Sequence, residues 1–329
     1  MNDPQIEDAG TLPDGRQVQA VWLGAGRLRA RVLTLGAIVQ DLRMQGYDHP
    51  LVLGATDPTR YLTSHRYLGA IVGRFANRVA NARFTIDGQT HHTDPNFLGR
   101  HTLHGGDDGP DLMLWTPLDV SRNSLSLTLN LPDGHMGFPG KLSITARISV
   151  LDKALQIDLS ATSDAATPCS LTHHGYFDLD GRGDIRGHSL QIEADRMLPL
   201  DSDQIPTGQV APVDGTDFDF RKARLLGDTR LDHNFCLSTA PRPLRPVATL
   251  EGQNGLRMQV QTTACGLQIY DGAHFQDLPG LDGRIYRAHA GLALETQHWP
   301  DAPNRPGFPD AILRPGQTYQ EVTQYRFLD

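Results

Sequence analysis

Hydrophobic and polar residues alternate along much of this chain. In "SLSLTLNL" (124–131), Leu125, Leu127, Leu129 and Leu131 fall on one face, with serine, threonine and asparagine on the other. The same period runs through Leu142, Ile144, Ala146, Ile148 and Val150 in "KLSITARISV", and through Leu155, Ile157, Leu159 and Ala161 in "LQIDLSA". The turn-rich "PDGHMGFPG" and the short "LDKA" separate the three segments. Successive strand side chains point to opposite faces, so the pattern predicts three half-buried strands in an antiparallel meander. "RLRARVLTLGAIVQDLRM" and "GLRMQVQTTACGLQIY" repeat it. No long window carries a 3.6-residue period bounded by caps, and only "DFRKARLLGDTRL" offers a turn of helix.

The expected fold is therefore all-β: two large antiparallel sheets packed as a β-sandwich, with function on the connecting loops. The 33 glycines and 22 prolines supply turns throughout. A length of 329 residues suggests about two domains, but all-β units often run this long. No linker, low-complexity segment or internal repeat divides the chain, so one domain over 1–329 is expected.

Charge narrows the partners. With 30 Lys plus Arg against 38 Asp plus Glu, the formal charge is -8, which argues against nucleic acid or an anionic membrane. The N-terminal "MNDPQIEDAGTLPDG" is acidic and polar, unlike a secretory signal, and no apolar run is long enough for a transmembrane helix. Cys169, Cys236 and Cys265 are odd in number and widely spaced, and read as reduced thiols. A cytoplasmic protein is expected.

Several polar residues interrupt the core pattern. "LTHHGYFDLDG" (171–181) sets His173 beside His174, and on a strand only one of them can face a cleft. "GRFANRVANARF" holds Asn77 and Arg78, for which a turn and a surface ion pair are the default explanation when the pair is taken alone. His104 in "HTLHGG" could simply bond a turn backbone, and Asp232 in "LDHNF" could cap one. Gln268 alternates with Leu267 and Ile269, as a solvated face would. Glu295 follows the apolar "GLAL", where an unpaired carboxylate is costly, although a structural salt bridge would satisfy it. Among 14 histidines, "HTLH" and "ETQH" space two groups three apart, which a strand would send to opposite faces. With no HExxH and no CxxC, no metal is expected.

Taken together, "YLGAIVGRFANRVANARFTIDG", "HTLHGG", "DGHMGFPG", "LTHHGYFDLDG", "LDHNF" and "LETQHWPDAPNRPGFPDAILRPGQTY" resemble the aldose 1-epimerase (galactose mutarotase) family. The resemblance runs from about residue 37 to "YRF" near the C-terminus. It implies a galactose mutarotase-like supersandwich with an open sugar-binding cleft. It further implies Glu295 as general base, His174 as acid and His104 near the reacting end of the sugar. Asn77, Arg78, Tyr176, Asp232 and Gln268 match the family's substrate-binding positions. His173, Gly175 and Asp178 stand where the family commonly has Asn, Ser and Asn, and strand alternation turns His173 away from the cleft.

The implied reaction interconverts α and β anomers of a free aldose. A base takes the anomeric proton while an acid protonates the ring oxygen; the aldehyde rotates about C1–C2 and recloses. Each positioned group contributes roughly 10²–10⁴-fold, with an optimum near neutral pH and no cofactor. Galactose, glucose, arabinose, xylose and fucose all remain open as substrates, and monomer and homodimer both fit. Three rivals stand beside this reading. A retaining glycosidase would pair Glu295 with Asp232. A sugar-binding module would keep the sandwich without turnover. A hexose-phosphate mutarotase would want more cations than Arg74, Arg78 and Arg100.

Overall fold

The computed structural model describes residues 6–328; residues 1–5, within the acidic N-terminal segment, and residue 329, at the end of the expected domain, lie outside the described residues. The predicted meander forms as strands Ser124–Leu131, Leu142–Leu151 and Ala154–Ser163. Its register sets Leu125 opposite Ile148 and Ile148 opposite Ile157, so the apolar positions of all three share one face. These strands belong to a nine-stranded antiparallel sheet that continues through Tyr319–Leu328, Arg257–Thr262 and Arg245–Glu251.

Two smaller sheets cover its inner face. One has four strands, Ile6–Thr11, Gln17–Ala25, Leu28–Leu33 and Val39–Met44. The other has six, with Leu292–Gln297 between Tyr176–Phe177 and Gly266–Tyr270, followed by Asp232–Cys236, Arg196–Met197 and Ala211–Pro212. A single apolar core joins the three: Leu127, Ile144 and Tyr325 from the large sheet, Val21 and Val32 from the second, Leu292, Leu294 and Phe235 from the third. The sandwich is thus built as alternation predicts, each sheet giving one apolar face to a shared interior.

The helical turn expected within "DFRKARLLGDTRL" does not form. That stretch holds bends and the two-residue strand Arg224–Leu225, and no α-helix occurs among the described residues. Side chains hold it in another shape: Arg221 bonds Asp219 and Asp214, Arg224 lies over the Phe220 ring, and Gly227 takes a left-handed φ of 55°. No helix among the described residues is long and apolar enough to cross a membrane.

Candidate active site

The strand Leu292–Gln297 is buried along its whole length, so it must satisfy two interiors at once. Leu292 and Leu294 enter the main core. The intervening residues face the other way, and there the sheet carries two polar rows. Glu295 lies opposite Gln268, and Gln268 opposite Asn234. Tyr176 and Tyr270 both face Ala293, and Asp232 lies opposite Tyr270. Directly opposed residues share a face. Strand register therefore brings Glu295, Gln268, Asp232 and Tyr176 to one surface, although they span more than a hundred positions of sequence.

His174 reaches the same surface from the short strand Thr172–His173, which pairs with Ile71–Val72. Its Nε2 stands 3.5 Å from Glu295 Oε1, with both side chains buried. The imidazole sits between two phenol rings, stacked on Tyr176 at 5.0 Å and on Tyr67 at 6.0 Å. Burial pushes its pKa down to about 4. Burial also raises that of Glu295 well above the usual carboxylate value, and Asp232 adds to the rise. Neither Glu295 Oε2 nor His174 Nδ1 has a hydrogen-bond partner among the described residues. His173 turns away, and its Nδ1 meets the Tyr325 hydroxyl at 3.3 Å on the core side. The two adjacent histidines do face opposite ways.

His104 completes the cluster, and a reciprocal pair of bonds with Asn77 holds it. The backbone N–H of His104 donates to Asn77 O at 2.9 Å, and the backbone N–H of Asn77 donates to His104 Nδ1 at 3.1 Å. Both residues take left-handed φ values, 50° and 63°. The glycine after His104 follows from close packing, because a Cβ at Gly105 would lie 2.1 Å from Gly73 O. Since Nδ1 accepts, the ring proton of neutral His104 resides on Nε2. Burial lowers the His104 pKa well below its ordinary value, which keeps the ring neutral, a fixed N–H donor.

That tautomer bears on metal binding. His104, His174 and Glu295 each offer a ligand atom, all within 4.8 Å of one another. Metal ligation by His104 Nε2 would move its proton to Nδ1, against the Asn77 N–H. That would set two N–H groups against each other, so the trio as hydrogen-bonded here does not suit a cation.

The other expected residues form a second tier. Arg78 donates to Asp232 Oδ2 at 2.9 Å and to Gln204 Oε1 at 2.8 Å, and its guanidinium lies over the Phe97 ring. Gln268 Nε2 donates to Asp232 Oδ1 at 2.6 Å. Asp232 is thus clamped from both sides while staying partly exposed. The Asn77 amide oxygen accepts from the Arg78 N–H at 2.9 Å. An open cavity of about 910 Å³ begins at Asp232, Gln204 and Tyr270 and continues past Asp201, Asp228, Asp271 and His274. A second cavity, of about 570 Å³, opens near His298, Cys265 and Glu321 and touches none of the convergent set.

Tyr67, Gln204 and Tyr270 were not singled out from sequence. Tyr67 opens the motif "YLGAIVGRF", but its φ of 72° and its contact with both imidazoles are tertiary facts. Asp178, one of the departures from the family pattern, accepts bonds from Asp180, Gly181 and Gly183 N–H and organises the loop beyond the site.

Known proteins share this arrangement of sheets and sequence. The chain is 39% identical over 333 residues to a galactose mutarotase of Rattus norvegicus, covering 97% of this chain and 96% of the relative. It is 35% identical over 343 residues to an aldose 1-epimerase of Escherichia coli (strain K12), covering 98% and 99%. Among solved structures, an aldose epimerase homologue from C. elegans superposes with a TM-score of 0.87 at 29% identity, over 94% of this chain and 99% of that one. A galactose 1-epimerase from Lactobacillus acidophilus gives 0.86 at 27%, over 99% and 98%. Residues 19–326 match the aldose 1-epimerase family, and with near-complete coverage at this identity the chain belongs to that family.

Proposed function

We propose that this protein is an aldose 1-epimerase that interconverts the α and β anomers of a free aldose such as galactose. The observation that carries the proposal is the convergence of Glu295, His174 and the fixed donor His104 within 4.8 Å beside the Arg78–Asp232–Gln268 clamp. Such a clamp suits vicinal hydroxyls, which need paired donors and acceptors at fixed angles.

In ring opening, Glu295 takes the proton of the anomeric hydroxyl and His174 gives one to the ring oxygen. The pair passes from carboxylate and imidazolium to carboxylic acid and imidazole, and its proton count is unchanged. After rotation about C1–C2, the aldehyde oxygen recovers a proton from Glu295 while the C5 hydroxyl returns one to His174. His104 Nε2–H stabilises charge on the oxygen it faces. Arg78, Asp232, Gln268 and the Asn77 NH₂ orient the hydroxyls, and the Tyr176 ring holds His174 in place. Each proton-transfer group contributes roughly 10²–10⁴-fold.

Four aspartates and Arg230 line the open cavity, and Asp232 and Gln204 already occupy Arg78. That lining favours a neutral sugar over a hexose phosphate. An acid–base couple serves no purpose in a pure binding module. We place the enzyme in the cytoplasm, working as one domain, in keeping with three free cysteines.

Polarimetry of freshly dissolved α-D-galactose tests the reading. Wild type should speed the approach to equilibrium, and Glu295→Gln should not. A wild type without effect on galactose, glucose or arabinose would overturn it.

A further inference from the structure

Behind the catalytic couple lies a second layer that the proposed mechanism does not use. The His173 side chain is only 2% exposed, and its ring stands edge-on to that of Tyr325 at 5.6 Å. The Tyr325 hydroxyl lies 3.3 Å from His173 Nδ1 and 3.2 Å from Leu294 O. Leu294 immediately precedes Glu295, and His173 immediately precedes His174. One hydroxyl from the large sheet therefore ties together the two short segments that carry the couple.

Gly175 shows what this arrangement requires. Its φ lies outside the left-handed region, so the backbone there does not call for glycine. Space does: a Cβ on residue 175 would fall 2.4 Å from His173 Cε1 and 3.1 Å from its Nδ1. The obstructing atoms belong to a rigid ring wedged against Tyr325, and have no free end to yield.

We propose that His173 and Gly175 form an interlocked pair that positions Glu295 and His174: the imidazole fills the space of a side chain at 175 and braces Leu294 through Tyr325. His173 is a positioning residue and never touches the sugar. Its role rests on the epimerase reading; the steric interlock does not. Residues 173 and 175 can then be exchanged together far more readily than singly.

The test is a double-mutant cycle of Gly175→Ala, His173→Asn and the double variant, read by polarimetric kcat and KM and by Tm. Gly175→Ala alone displaces the ring and should lower kcat about tenfold to a hundredfold with KM little changed, as misplaced catalytic groups do. Adding His173→Asn should recover most of that loss and most of the loss in Tm. Effects that simply add would overturn the interlock. Tyr325→Phe keeps the ring volume and removes only the bridging hydroxyl. It should lower kcat and shift the alkaline limb of the pH profile, and an unchanged kcat and profile would sink the positioning role. If wild type proves inactive on aldoses, the functional reading fails and the positioning role with it. The Tm cycle then still decides the interlock.

Discussion

His174 Nε2 and Glu295 Oε1 stand 3.5 Å apart in a buried setting, close enough for the two groups to titrate as one unit. Burial lowers the imidazole pKa to about 4 and raises that of the carboxyl well above its ordinary value. Between those limits the couple holds one mobile proton, either as carboxylic acid and imidazole or as carboxylate and imidazolium. Only the second arrangement has the carboxylate and the imidazolium that the proposed ring opening needs, and a shift of one proton within the pair reaches it.

The first prediction follows from that proton count. The acid limb of kcat/KM reports a second proton arriving on the couple, so it should fall toward pH 4, well below the ordinary histidine value. The alkaline limb reports loss of the shared proton from Glu295. Activity should hold above the acid limb and fall only once the raised pKa of Glu295 is passed. An acid limb near pH 6.5 in a polarimetric profile would contradict the buried couple.

His104 carries the second. Its Nδ1 accepts from Asn77 N–H, so its proton stays on Nε2. Proton-detected ¹⁵N spectra of the imidazoles should show one ring with an Nε2–H tautomer that does not change between neutral and mildly alkaline pH. His104→Phe keeps an aromatic ring and drops the donor; removing one such donor costs about 10²–10³ in kcat. Loss confined to KM would show that the residue binds the sugar without stabilising developing charge.

Much of this architecture is legible in sequence, for a physical reason. The large sheet has one dry face, so Ser124–Leu131 and its neighbours alternate, and their boundaries match within a residue or two. Leu292–Gln297 was readable as an apolar run broken by an unexplained carboxylate. The strands that aim His174 and Arg78 are two residues long, too short to show any period. Their placement comes from cross-strand partners about a hundred residues away for His174 and some 25 for Arg78. Motif resemblance identified those residues; periodicity did not. Tyr67 escaped both, because its left-handed backbone and its ring contacts with two imidazoles, stacked on His174 and tilted against His104, exist only in the folded chain. The expected helical turn at 219–231 failed because arginine and aspartate side chains bonded locally in other geometries.

Tyr67 supports a third prediction. It contacts His174 and His104 through its ring, at 6.0 and 4.7 Å between centroids. Tyr67→Phe should retain activity within about twofold, whereas Tyr67→Leu should lose about tenfold or more in kcat as both imidazoles loosen. Equal losses in the two variants would move the role from the ring to the hydroxyl.

Glu321 tests the layer behind the site. It is buried in the large sheet and accepts from the Tyr319 hydroxyl at 2.9 Å and from Thr296 Oγ1 at 3.2 Å. Thr296 neighbours Glu295, but its side chain points to the opposite face. Burial pushes the Glu321 pKa up to about 8. In the unfolded chain it returns to its ordinary value near 4.5. A folded-state value above the unfolded one means that the folded protein holds this proton more tightly. Stability from Glu321 is therefore full below pH 4.5 and is lost as pH rises toward 8, by about 1.4 kcal/mol per pH unit at most. Glu321→Gln removes the titration and keeps the shape. Relative to wild type, its Tm should rise between pH 5 and pH 8, while kcat on galactose stays within about twofold because the residue faces away from the sugar. A Tm difference that is the same at both pH values would show that Glu321 is already ionised in the fold, held by its two hydroxyl donors against the cost of burial.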